Sequence, residues 1–300
     1  MRVLITGGSG MIGTALARRL RDGGHQVVSA VRGAAGPGEV RWDPRGAGLD
    51  TQAVDAGAPL DAVVHLAGVG IGDRRWTSFH RRRVVDSRVQ GTTALVGSLG
   101  RLGNPPAVLV CASAVGYYGD RGDEVLEEHS GPGTGFLADL CSRWEAAALE
   151  AADAGTRVVT IRTGIVLDAG GGALAKQLPV FRLGLGARMG SGEQWMSWIS
   201  LEDEVRAIEH VLLHSDIVGP ANLTGPQPVT NAEFTRALGR IVHRPAYLTV
   251  PAPVLRLALG GDMAEHLLLF SQRAVPRVLE DSGFEFRHTT VVEALHATLG

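Results

Sequence analysis

Cysteine is nearly absent from this chain. Only Cys111 and Cys141 occur in 300 residues, both in stretches that read as buried, so neither a disulfide framework nor a zinc site is indicated and a reducing compartment fits. A basic excess is also missing. The net charge of -2 leaves nothing to neutralise a phosphate backbone, which argues against a nucleic-acid partner and for a small-molecule substrate. No apolar run reaches the roughly 18 residues of a membrane span, and the N-terminal apolar stretch is broken by glycine too soon for a secretory signal. The expectation is a cytoplasmic protein with no membrane partner. Internal repeats and low-complexity tails are absent, and the length suits one large domain or two intimate ones. A homo-oligomer stays open.

What the chain does have is a glycine cluster at its start. Met1–Thr6 is a short apolar, β-branched run that leads directly into Gly7-Gly8-Ser9-Gly10-Met11-Ile12-Gly13, after which Thr14–Leu20 reads as helix. In such a strand, turn and helix, the backbone N–H groups through Gly7, Gly10, Met11, Ile12 and Gly13 close on a pyrophosphate. The helix N-terminus adds positive dipole, and the last glycine lets helix pack against strand. A second strand, Gln26–Val31, ends about 20 residues on, as a dinucleotide fold requires. Arg32 then stands where an acidic residue would bind the ribose hydroxyls of NAD, and an arginine there accepts the 2′-phosphate of NADP instead. The cofactor read from these residues is NADP.

Residues 33–60 read as surface connections with a short strand at 39–42. Asp61–Leu66 is a continuous apolar strand, and Leu66, Ala67 and Gly68 end it beside the cofactor. Ser78–Leu102 reads as a long helix carrying Ser87, Arg88 and Gln90 where it could pass the nicotinamide, while His80–Arg83 reads as a solvated face. The strand Ala107–Ala112 runs into Ser113-Ala-Val-Gly-Tyr117-Tyr118 at the carboxyl edge of the sheet, where open α/β sheets hold their ligands. Ser113, Tyr117 and Tyr118 are therefore the catalytic candidates. A helix over 136–152 and a strand over 157–162 follow.

This alternation specifies an α/β fold: a Rossmann-type doubly wound parallel sheet of helix-covered strands joined by right-handed crossovers. It occupies residues 1–165, with a later strand near 217–224 returning to it. Residues 166–300 form a smaller, mostly helical substrate region, with helices near 253–259, 271–282 and 290–299. Thr230 opens a further helix with Glu233 at capping-box distance. Trp195 and Trp198 read as core.

Taken together, these residues resemble the extended short-chain dehydrogenase/reductase superfamily. Thr6–Gly13 looks like its T-G-x-x-G-x-x-G signature and His65-Leu-Ala-Gly68 like its motif after the next strand, while 198–203 and 221–225 are similar to later landmarks. Arg75-Trp-Thr77, Asp86-Ser-Arg88, 113–119, Trp144-Glu145 and 271–276 resemble its atypical, epimerase-like YfcH-type branch. The resemblance implies NADP binding, a sheet of about seven strands and a substrate region built after Asp168.

One feature of that superfamily is missing. Its Tyr-x-x-x-Lys pair occurs nowhere, Lys176 is the only lysine, and the corresponding positions hold Leu137 and Cys141. Ser113 matches the serine that binds the reacting oxygen, Gln90 stands where extended members often carry Asn, and Tyr117 is the nearest substitute acid. Arg162 or Arg143 is positioned to stabilise a tyrosinate or an anionic substrate. Two functions follow: an NADP-dependent oxidoreductase or sugar-nucleotide epimerase-like enzyme acting on a small alcohol or ketone, or a non-catalytic NADP-binding regulatory or scaffold protein.

Overall fold

The computed structural model describes residues 1–300. Its strands alternate with helices from the first residues onward. In chain order the main sheet is built from β1 (Arg2–Thr6), β2 (Gln26–Val31), β3 (Glu39–Asp43), β4 (Gly48–Leu49), β5 (Ala62–His65), β6 (Val108–Ala114), β7 (Arg157–Thr163) and β8 (Gly219–Leu223). The strands lie in the order β8-β7-β6-β5-β1-β2-β3-β4, all parallel except the two-residue edge strand β4. Seven parallel strands plus this short edge make eight.

The apolar runs are continuous because both faces of the sheet are covered. Val3 and Ile5 of β1 point to one core layer and Leu4 to the other; on β6, Val108 and Val110 join the first layer, and Leu109 and Cys111 the second. The first face is covered by α1 (Met11–Asp22) and, later in the chain, by Leu201–Leu213. The second is covered by α2 (Ser78–Leu99) and α3 (Phe136–Leu149).

After β7 the chain forms α4 (Gly172–Arg182), α5 (Leu201–Leu213), α6 (Asn231–Ile241), α7 (Ala252–Leu259) and α8 (Val291–Leu299). Leu174, Leu178, Phe181, Trp198, Phe234, Leu238 and Leu295 build a separate core there. Trp198 is fully packed in it, with its Nε1 donating to the Gln227 carbonyl. The reciprocal capping box of Thr230 and Glu233 starts α6, and Thr290 with Glu293 repeats the device at α8. No helix is long and apolar enough to cross a membrane.

The sheet changes winding direction between β1 and β5. From β1 the chain winds outward through β2 and β3, then returns to lay β5 on the other flank of β1. The crevice outside the carboxyl ends of these strands is where such a fold takes a ligand. It is bounded by the residues after Thr6 and after His65.

Candidate functional site

The glycine turn is a set of close backbone approaches. Gly7 has a φ of +72°, and a Cβ on it would lie 2.8 Å from the Leu66 carbonyl carbon and 2.9 Å from the Ala67 nitrogen. At Gly13 a Cβ would lie 2.3 Å from the Gly7 oxygen. Both positions exclude any side chain, so β1, α1 and the end of β5 are held within backbone contact. Helix α1 begins at Met11, three residues earlier than the sequence pattern predicts, which places Met11, Ile12 and Gly13 in its first turn. Gly10 gives this turn no side-chain cap, and the turn holds no acidic residue. Other helices are closed by their own side chains, for example by Thr77, Ser200 and Thr230. The open N–H groups and positive dipole of α1 fit a phosphate group.

Behind the turn lies a sealed polar layer. Thr6 Oγ1 and His65 Nδ1 are 2.6 Å apart, His65 Nε2 is 3.0 Å from Thr92 Oγ1, and Trp144 Nε1 donates to the same hydroxyl. Burial, with a smaller contribution from Arg88, lowers the His65 pKa to about 3. The ring is therefore a neutral strut tying β1 to β5 and α2. Arg32 follows β2 directly and is exposed, with no ion pair or hydrogen bond, so its charge is available to a ligand. Gln90 is exposed on α2 and bonds to Asp86. Gly68 lies against the guanidinium of Arg88, where a Cβ would be 3.1 Å from Cζ.

The other catalytic candidates meet in a second cluster at the ends of β6 and β7. Strand β6 extends through Ala114, so Ser113 stands on the strand, and Val115–Tyr118 forms a single 3₁₀ turn after it. Ser113 Oγ donates to Glu145 Oε1 at 2.6 Å. Arg162 chelates the same carboxylate with two bonds of 2.9 Å. From its other side Arg162 donates to the Tyr118 hydroxyl and the Glu128 carbonyl, and Tyr118 donates in turn to Asn222 at 2.7 Å. Tyr118 is fully buried, which pushes its pKa up to about 12. Arg162 and Tyr118 thus have their bonds filled within the protein.

Tyr117 is different. Its ring lies beneath the Arg162 guanidinium, 3.5 Å from Cζ to the ring centroid, yet its hydroxyl has no protein partner and is not sealed from solvent. Among the candidates it alone offers a free phenol. The residues at the places of the missing pair are both packed away: Leu137 is buried, and burial pushes the Cys141 thiol up to about 12. Glu145 and Asn222 are not among the site residues legible in the sequence, whereas Arg88 is expected there only as a residue of α2 near the nicotinamide. Only the Trp144-Glu145 resemblance pointed toward Glu145.

From the second region, the glycines at 170–172 reach over the first turn of α1. A Cβ on Gly171 would meet Met11 Sδ at 2.8 Å. Trp195 lies farther along, donating to Asp123 and stacked under Arg273. No group of three or more His, Cys, Asp or Glu side chains is gathered as a metal site would require.

Comparison with known proteins agrees with this layout. Residues 3–223 match the NAD dependent epimerase/dehydratase family, and residues 250–298 match a domain of unknown function, DUF1731. An epimerase family protein of Mycobacterium bovis is 48% identical over 294 residues, covering 98% of this chain and 96% of its own. The crystal structure of the human epimerase family protein SDR39U1 (isoform 2) with NADPH superposes with a TM-score of 0.91 at 35% identity, covering 100% of this chain and 99% of that one. A nucleoside-diphosphate sugar epimerase from Corynebacterium glutamicum gives a TM-score of 0.81 at 34% identity, with this chain covering 58% of it. The glycine-turned helix start, the winding reversal beside it and these full-length matches lead to one assignment: the chain belongs to the NAD dependent epimerase/dehydratase family.

Proposed function

We propose that this protein is an NADP-dependent oxidoreductase, epimerase-like in descent, that acts on a small alcohol or ketone. The observation that carries the proposal is the uncapped start of α1, with three open N–H groups, on the same sheet edge as a free tyrosine hydroxyl. The glycine turn takes the pyrophosphate, and Arg32, exposed and unpaired, takes the 2′-phosphate. Leu66, Ala67 and Gly68 line the crevice wall. When bound, the dinucleotide supplies or accepts the hydride.

The chain's own residues handle the oxygen of the substrate. Ser113 commits its proton to Glu145, so its remaining lone pairs accept a hydrogen bond from a substrate hydroxyl. Tyr117 donates to a substrate carbonyl or developing alkoxide, its ring held in place against the Arg162 guanidinium. Tyr118 and Arg162 act as the buried frame that sets the 3₁₀ turn. Both cysteines are free and buried, in keeping with a reducing compartment such as the cytoplasm.

A second reading, a protein that holds NADP without turnover, is favoured by one observation: Leu137 and Cys141, both buried, occupy the places of the superfamily's proton-transferring pair. Titration calorimetry with NADPH tests what both readings share. Gly10→Val should lower affinity by about tenfold or more with an unchanged circular dichroism spectrum, because its branches enter the space the phosphate needs. Unchanged affinity would remove the site assignment. Oxidation of bound NADPH by a panel of ketones then separates enzyme from scaffold.

A further inference from the structure

Arg88 is a cation without a counter-ion, placed between the two clusters. Its Nη1 donates only to backbone carbonyls, Val69 at 2.9 Å and Val84 at 3.4 Å, and the guanidinium lies 5.0 Å from the centre of the Trp144 ring. Nε and Nη2 have no protein partner, and neither is sealed from solvent.

No carboxylate offsets the charge. Glu145, on the helix that packs against α2, is occupied by Arg162 and Ser113. The neighbouring thiol, Cys141, is held neutral by burial, as is the ring of His65. Burial also lowers the pKa of Arg88 itself, but a guanidinium stays charged in proteins. The surroundings are arranged to leave one net positive charge.

Its location follows from three contacts. The guanidinium touches Gly68, which ends the strand whose Leu66 and Ala67 abut Gly7. It also faces the ring of Trp144, and the next residue on that helix, Glu145, accepts from Ser113. A dinucleotide with its phosphates on the glycine turn and its reactive end toward Ser113 and Tyr117 must pass this charge.

We propose that Arg88 is the fixed cation of the dinucleotide site, and that its uncompensated charge makes the protein hold NADPH in preference to NADP⁺. This rests on the NADP reading above. The oxidised nicotinamide ring is positively charged and the reduced ring is neutral, so a like charge beside the ring penalises only the oxidised form. In a partly desolvated crevice that repulsion is screened far less than in water. The free donors of Arg88 would meanwhile bond to oxygens common to both forms, such as ribose hydroxyls, and raise both affinities together.

The test is a pair of calorimetric titrations of the full chain, with NADPH and with NADP⁺ at the same pH and ionic strength. Wild type should bind NADPH about tenfold or more tightly, equivalent to about 1.4 kcal/mol. Arg88→Met should bring the two affinities within about threefold of each other, and Arg88→Lys should keep most of the preference. If Arg88→Met does not fold, Arg88→Gln, neutral and polar, gives the same reading. An arginine with a purely structural role would weaken both forms equally and leave their ratio intact in the neutral variants, which would overturn the proposal. Equal affinities in wild type would also overturn it while leaving the dinucleotide site standing. Binding of neither form by wild type would remove that site and the role of Arg88 with it.

Discussion

At the glycine turn the protein leaves polar groups open: three N–H groups at the start of α1 and the charge of Arg32 have no partners. At the ends of β6 and β7 it does the reverse, since Ser113, Glu145, Arg162, Tyr118 and Asn222 bond to one another out of contact with water. The first region presents backbone that no side chain may crowd. The second is a rigid frame in which only the Tyr117 hydroxyl and the spare lone pairs of Ser113 stay unfilled. Ligand contact therefore belongs to what each region leaves unpaired, and stability to what it pairs.

The sharpest way to break that contrast is to unpair the frame. Glu145→Leu leaves Arg162 buried without its carboxylate, and removing one partner of a buried ion pair costs about 3–5 kcal/mol. Urea unfolding should show a loss of this size. Adding Arg162→Met should recover most of it, because exchanging both charges for apolar groups of similar volume is close to neutral. A loss under about 1 kcal/mol for Glu145→Leu alone would mean the pair is in effect solvated.

The two adjacent tyrosines test the same contrast at a single turn. Tyr117→Phe should lower kcat by about two or more orders of magnitude, the usual cost of removing one oxyanion donor, with NADPH affinity unchanged. Tyr118→Phe should act on stability instead, by about 1–3 kcal/mol, since it strips a buried hydroxyl from Asn222 and Arg162. Full activity in Tyr117→Phe would remove Tyr117 from the catalytic assignment.

At the open end, Arg32→Ala should erase most of the preference for NADP over NAD. A charge-assisted contact is worth roughly 1.5–3 kcal/mol, about one to two orders of magnitude in affinity. Competition titrations with the two dinucleotides decide it. Equal binding by wild type would place the 2′-phosphate elsewhere.

The two regions also differ in how far they could be read from sequence. The glycine turn is local: strand, turn and helix follow within thirteen residues, and the spacing alone predicts the close approaches that Gly7 and Gly13 make. The bounds of β2 agree to the residue. The frame is not local. Tyr118 and Asn222 lie 104 residues apart, and Arg162 lies 17 from Glu145, so nothing in the spacing shows that the charge expected to face a ligand is already chelated. The C-terminal region was harder still. A helix over 271–282 shrinks to Arg277–Asp281, because Pro276 precedes it and Arg273–Ala274 pair with Val125–Leu126 as a short strand. The helical turns at Gly261–Ala264 and Glu265–Leu269, against Phe136 and Trp76, carried no legible pattern.

The last expected effect concerns two buried groups that stay uncharged, one behind the glycine turn and one at the end of β7. His65, at the glycine end, has its pKa lowered to about 3 by burial; Glu204, whose Oε1 accepts from Thr163 at the end of β7, has its pKa raised to about 8 by burial, and its Oε2 has no partner. Their signs are opposite. The unfolded chain takes up a proton on histidine below its ordinary value of 6.5, so the His65 contribution is lost as pH falls from there toward about 3. The unfolded chain releases the glutamate proton above 4.5, so stability from Glu204 is full below that value and is lost as pH rises toward about 8. Glu204→Gln keeps a neutral side chain of the same shape at every pH. It should therefore match wild type near pH 5 and exceed it progressively up to pH 8, while the acid-side loss from His65 remains. Each pH unit crossed between 4.5 and about 8 is worth up to about 1.4 kcal/mol, and 1 kcal/mol corresponds to roughly 2–4 °C in Tm for a chain of 150–250 residues. Thermal melts of both proteins at half-unit pH steps would show the two curves parting above pH 5. Parallel curves throughout would mean that Glu204 is ionised in the folded protein.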